Sequence, residues 1–182
     1  MMDIIKKVVE EKLLCEIYSN CDDLNTFAVG YILEYDDDFI LYKSVDKYGN
    51  DDGLYCRAID TVVKIQYATK YLCALLYLIQ DKRFELVDKF NGNLLYNILN
   101  YALQNKFICN IELCDDDSST EFGLVSSLFQ DSPYVGFSVV DGYGQKDGEA
   151  SINNNDISCV SLLTLDTKRV QILFSEYKKI NL

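Results

Sequence analysis

Val45-Asp46-Lys47-Tyr48-Gly49-Asn50-Asp51-Asp52-Gly53 returns ninety-five positions later as Val140-Asp141-Gly142-Tyr143-Gly144-Gln145-Lys146-Asp147-Gly148, so Val-Asp-x-Tyr-Gly-x-x-Asp-Gly stands in both halves of the chain. Self-similarity of this kind predicts an internal duplication, each copy a unit with its own hydrophobic pattern. The glycines supply backbone angles that other residues resist, and the position between apolar stretches predicts a tight or bulged hairpin loop. A phosphate-binding loop is excluded, because neither copy leads into a helix or has the lysine and hydroxyl of a P-loop.

Working outward, each motif follows an apolar strand, Phe39 to Val45 and Tyr134 to Val140. Before these lie Thr26 to Tyr35 and Glu121 to Phe129, strand-like with Gly30 or Gly123 inside, where a glycine marks a bend or a close backbone approach. Asp36-Asp37-Asp38 and Gln130-Asp131-Ser132-Pro133 are the intervening turns. Leu14 to Tyr18 and Ile108 to Glu112 form a further strand in each half, ahead of acidic turns at Cys21-Asp22-Asp23 and Asp115-Asp116-Asp117. Downstream, Leu54 to Arg57 and Thr61 to Ile65 match Glu149 to Ile152 and Ile157 to Val160, which makes five short strands per copy.

Helices lead both copies. Ile4, Ile5, Val8, Val9 and Leu13 share one face of a helix near 3–13, and Leu94, Leu95, Ile98, Leu99, Ala102 and Leu103 repeat the stripe after Asn93 as N-cap. Tyr71 to Ile79 lacks strand alternation and predicts helix, whereas Val170 to Phe174 fits either state. Asp81 to Phe90 suggests a short helix and Asn91-Gly92-Asn93 a turn. The organisation expected is a first unit over 1–81, a helical connection and turn over 82–93, and a second unit over 94–182.

A helix followed by five short, bent strands resembles the Sm-like fold, the small barrel of eukaryotic Sm proteins and bacterial RNA chaperones. Gly30 to Phe39 follows the spacing of the first Sm signature through Asp36, with Ile40 where the family has asparagine. Gly53-Leu54-Tyr55-Cys56-Arg57-Ala58 is similar to the second signature, with alanine in place of its glycine. The resemblance implies an α+β fold of two tandem Sm-like units, each a helix and a strongly bent five-stranded antiparallel sheet or small barrel. It implies RNA-binding roles for Asp36 and Arg57; the second copy has Phe129 and Ile152 near those places.

The chain has 182 residues, a net charge of -12 and no histidine. Each half carries -6, a balance that repels phosphate backbones and anionic membranes and leaves basic partners compatible. Without histidine, the usual serine and cysteine triads and most zinc sites are excluded, and no catalytic set of carboxylates, lysine or tyrosine stands out. The acidic clusters lack the calcium-loop spacing, Asp115 to Glu121 being the best of them, and solvated turns account for them. Seven cysteines without a C-x-x-C pair predict reduced, mostly buried thiols rather than disulfides or zinc. Fourteen tyrosines suit a protein interface or half-buried sheet.

The expectation is a cytoplasmic, non-enzymatic protein-binding or assembly module, through a protein partner or self-association, without catalytic residues, metal or cofactor. No apolar run approaches the roughly 20 residues of a membrane span, and the opening residues lack a signal-peptide layout. An RNA-binding protein is the alternative, followed by a carboxylate-rich metal site or hydrolase.

Overall fold

The structure, a computed structural model, describes residues 1–20, 25–79, 90, 92–114 and 119–180. The acidic turns at 21–23 and 115–117, the helix expected over 81–90 and Asn91 fall outside or largely outside these residues. The chain divides into two compact units, Met1–Leu94 and Leu95–Leu182.

In the first unit α1 (Met2–Glu10) precedes β1 (Leu14–Tyr18), β2 (Ala28–Tyr35), β3 (Phe39–Val45), β4 (Asp51–Ala58), β5 (Lys64–Tyr67) and α2 (Lys70–Leu75). Ile5 and Val8 of α1 are buried beside Cys15, Ile17, Ile32, Ile40 and Tyr42, so the apolar stripe that predicts the helix is the face it buries. On the other face Leu72 and Leu75 of α2 join Leu14, Val29 and Val45. Alternate side chains of β1 thus point into two clusters, which explains why its five residues are all buried.

In the second unit α3 (Leu94–Asn105) starts at the unit boundary and is followed by β6 (Cys109–Leu113), β7 (Thr120–Leu128), β8 (Tyr134–Val140), β9 (Lys146–Asn153), β10 (Ile157–Leu162) and α4 (Leu165–Ile180). Leu163 takes a left-handed backbone at the end of β10, and the Thr164 hydroxyl then accepts from the Thr167 amide at 3.1 Å, a cap that starts α4. The ambiguous Val170 to Phe174 is therefore helical, inside a sixteen-residue helix.

Within each unit the strands of the described residues pair antiparallel, in the order β5-β1-β2-β3-β4 in the first and β10-β6-β7-β8-β9 in the second. These are open sheets: among the described residues no ladder joins β4 to β5 or β9 to β10 within a unit. The expectation of two Sm-like barrels is corrected accordingly. Strand periodicity predicts how many strands form and which face is buried, but closure depends on tilt and stagger, which a local pattern does not encode.

Both units bend at matching places. Leu33 and Ser126 are each one residue extra between neighbouring pairs of the β2–β3 and β7–β8 ladders. A Cβ on Gly30 would collide with the Lys43 carbonyl oxygen and the Tyr42 ring, and one on Gly123 with the Ser138 carbonyl oxygen and the Phe137 ring. The two glycines let the bent strands close over a buried aromatic ring. Lys12 and Lys106, and likewise Ala68 and Leu163, hold left-handed backbone angles at corresponding positions. Among the described residues no helix is long and apolar enough to cross a membrane.

Candidate functional site

The repeated motif makes the same turn twice. Asp46 Oδ1 accepts from the Tyr48 and Asn50 amides, both at 2.8 Å, while the Asp46 carbonyl accepts from the Gly49 amide at 3.0 Å. Asp141 Oδ1 accepts from the Tyr143 amide at 2.9 Å and the Gln145 amide at 2.8 Å, and its carbonyl accepts from the Gly144 amide at 3.0 Å. Aspartate is needed because a short acceptor must reach amides two and four residues on. Burial works against the charge on Asp46, but hydrogen bonds from the Asn50 side chain and the Asn50, Tyr48 and Gly49 amides outweigh it and hold the carboxyl below its ordinary value.

Glycine follows for two reasons. Gly49 and Gly144 lie at φ 85° and 80°, and each abuts a following backbone segment: an added Cβ would sit 2.6 Å from the Leu78 carbonyl carbon or 2.5 Å from that of Leu173. In the second unit Arg169 of α4 also donates to the Gly142 carbonyl at 3.1 Å. The loop expected after β3 is shorter than its sequence suggests. Asp51-Asp52-Gly53 already belongs to β4 and Lys146-Asp147-Gly148 to β9, each with a bulge in its ladder.

Aspartate and the first glycine of the motif thus have structural duties, whereas its tyrosine is exposed, Tyr48 with the Lys47 ammonium 5.0 Å from its ring centroid. Tyr48 is 66% exposed and Tyr143 80% exposed. Each tyrosine immediately precedes the glycine at which the turn meets the following segment, at Leu78 in the first unit and at Leu173 in the second, and both of those leucines are exposed. Each unit therefore shows an exposed tyrosine at the same point of its fold. A hairpin loop defined by its glycine angles gives this residue no role. The available signal was that tyrosine is not a turn-forming type, so its return at a turn position calls for another reason.

Asp36 stands in the turn between β2 and β3. Asp36 Oδ1 accepts from the Asp38 amide at 2.9 Å and the Phe39 amide at 2.6 Å, and its Oδ2 accepts from the Leu94 amide at 2.8 Å. Its carboxylate is occupied with backbone donors. Arg57 lies on β4 opposite Ile40 of β3. Among the described residues no group of three or more aspartate, glutamate or cysteine side chains is placed to hold a metal ion.

Glu16 carries a buried carboxylate. Glu16 on β1 accepts from the Tyr18 hydroxyl at 2.8 Å and the Thr69 hydroxyl at 2.5 Å, and Thr69 in turn caps α2 by accepting from the Leu72 amide at 3.2 Å. This network fastens α2 to the sheet. Asn110 stands at the corresponding place in the second unit, its Oδ1 buried without a hydrogen-bond partner.

Cys15, Cys56, Cys109 and Cys159 are buried free thiols, whereas Cys73 and Cys114 are exposed. Burial pushes the Cys15 and Cys109 thiols up to about 12. Because the thiolate is the reactive form, iodoacetamide at pH 8 is expected to alkylate Cys73 and Cys114 in the native protein and to reach the four buried thiols only in denaturant. Peptide mass spectrometry checks this; equal rates at Cys15 and Cys73 would contradict the burial.

No protein-family model matches this chain. No curated protein matches it either. Among solved structures, that titled "Structure of the 2.65 Angstrom P2(1) crystal of K. pneumonia MrkH" aligns over 98% of this chain and 92% of its own at 10% identity, with a TM-score of 0.18. A score that low carries no argument about fold or function.

Proposed function

We propose that this chain is a non-enzymatic, cytoplasmic protein-binding module, built by internal duplication, in which Tyr48 and Tyr143 anchor a partner of basic character. The observation that carries the reading is the exposure of the same tyrosine in both copies of a turn whose first aspartate and first glycine are used internally. Tyrosine gives large contact area at small entropic cost, and anchors of this type dominate binding energies. A net charge of -12 favours a partner with lysine and arginine around its apolar contacts. Matching bends, left-handed residues and turns at corresponding positions support the duplication. Free thiols suit a reducing compartment.

The test compares wild type with the Tyr48→Ala/Tyr143→Ala double variant by quantitative affinity capture from source-cell lysate and by light scattering. A basic protein captured by wild type and reduced on the order of tenfold or more in the double variant, at unchanged melting temperature, is the expected result. A strict monomer that captures nothing, or a captured set indifferent to both substitutions, rejects the reading. Salt-dependent binding of U-rich or A-rich oligonucleotides without a protein partner would replace it with the nucleic-acid alternative.

A further inference from the structure

The second unit contains a cleft of about 360 Å³ between the end of α3, β7 and α4. Leu103, Leu124, Val125 and Phe174 form its apolar wall, with Lys106 and Gln171 as polar lining. Its volume lies within the roughly 300–1,000 Å³ of small-ligand sites.

The polar lining offers donors. The Gln171 side-chain oxygen accepts from the Ile108 amide at 2.6 Å, which orients the side chain and leaves its NH2 group to donate. Lys106 closes α3 in a left-handed backbone conformation at φ 54°. Among the described residues its ammonium has no hydrogen bond or ion pair, although the chain carries a large excess of carboxylates. An open cleft with an apolar wall, an exposed ammonium and an amide donor is complementary to an anion with an apolar body.

The first unit supplies the contrast. Cys15 pairs with Gly30 and Leu14 with Tyr31, while Cys109 pairs with Gly123, so Tyr31 stands where the second unit has Leu124. Tyr31 packs on the cluster around Leu14 and Val29, and α2 stops at Leu75, whereas α4 runs on to Ile180. A smaller side chain on the strand and a longer helix leave the cleft in the second unit.

We propose that this cleft binds a medium-chain carboxylate, its head on Lys106 and Gln171 and its chain against Leu103, Leu124 and Phe174. At about 30 Å³ for a group the size of a water molecule, the volume takes roughly a dozen non-hydrogen atoms, the size of decanoate. The test titrates the full chain with sodium decanoate below its micelle concentration and with neutral 1-decanol, followed by calorimetry and by amide chemical shifts. Saturable one-to-one binding of decanoate is expected, with shifts centred on the cleft and weaker binding of decanol. Lys106→Met should weaken decanoate about tenfold, the scale of a hydrogen bond to a charged group, without changing decanol binding. Leu124→Tyr should remove both. Absence of saturable decanoate binding, shifts centred elsewhere, equal affinity for decanol, or decanoate affinity unaltered in Lys106→Met overturns the proposal. The wild-type shifts and Lys106→Met decide the matter even if Leu124→Tyr does not fold.

Discussion

Gly144→Ala is expected to destabilise the protein by roughly 2–5 kcal/mol, from two separable causes. A left-handed backbone costs a residue with a Cβ about 1–2 kcal/mol, and forcing an atom into a filled space adds about 1–3 kcal/mol. Both apply at Gly144, where φ is 80° and the new methyl would meet the Leu173 carbonyl carbon at 2.5 Å. Neighbouring glycines isolate the contributions. Gly148 lies at φ 120° with open space around it, so Gly148→Ala carries the angular cost alone. Gly142 has open space and no positive φ, so Gly142→Ala should be neutral within about 0.5 kcal/mol. Gly49→Ala repeats the Gly144 experiment in the first unit, against Leu78. Urea unfolding ranks the four variants. Gly144→Ala behaving like Gly142→Ala would mean that the turn does not abut α4.

That series also marks the limit of what the sequence tells. Phe39 to Val45 and Tyr134 to Val140 are legible as strands because most of their residues are apolar or β-prone, and β3 and β8 span those residues. The starts of β4 and β9 are not, because Asp51, Asp52, Lys146 and Asp147 are poor strand formers placed there by continuation of the hairpin ladder. Val170 to Phe174 could not be assigned from five residues, since the decisive signal is the Thr164 cap six residues upstream. Barrel closure was beyond reach for a similar reason, being set by long-range geometry. At the site, Asp46 and Gly49 were legible as turn chemistry, while the exposure of Tyr48 depends on which surface remains uncovered after packing. The cleft required both Leu124 in place of Tyr31 and the full length of α4. Only the first of these differences can be seen by aligning the halves.

Alkaline conditions should erode stability steeply, and the sign follows from the buried thiols. Burial pushes the Cys15 and Cys109 thiols up from an ordinary value of 9.0 to about 12, because it disfavours the thiolate more than their backbone hydrogen bonds favour it. Above pH 9 the unfolded chain releases these protons while the folded chain keeps them, so rising pH favours unfolding. Their contribution is intact below pH 9 and is lost progressively as pH climbs toward 12. Each thiol removes up to about 1.4 kcal/mol per pH unit in that window, so the pair removes roughly 5 kcal/mol by pH 11, comparable to the total stability of many domains. Tyr18 acts in the same direction: burial, then its hydrogen bond to Glu16 and the Glu16 charge, push its hydroxyl up to about 12. Urea midpoints at pH 7, 9, 10 and 11 should therefore be level to pH 9 and then fall. Cys15→Ala/Cys109→Ala should start from a lower midpoint, since both side chains fill the core, yet decline more gently. An equal slope in the double variant would assign the alkaline loss to other groups, and a flat wild-type profile would mean that neither thiol is held in its neutral form by the fold.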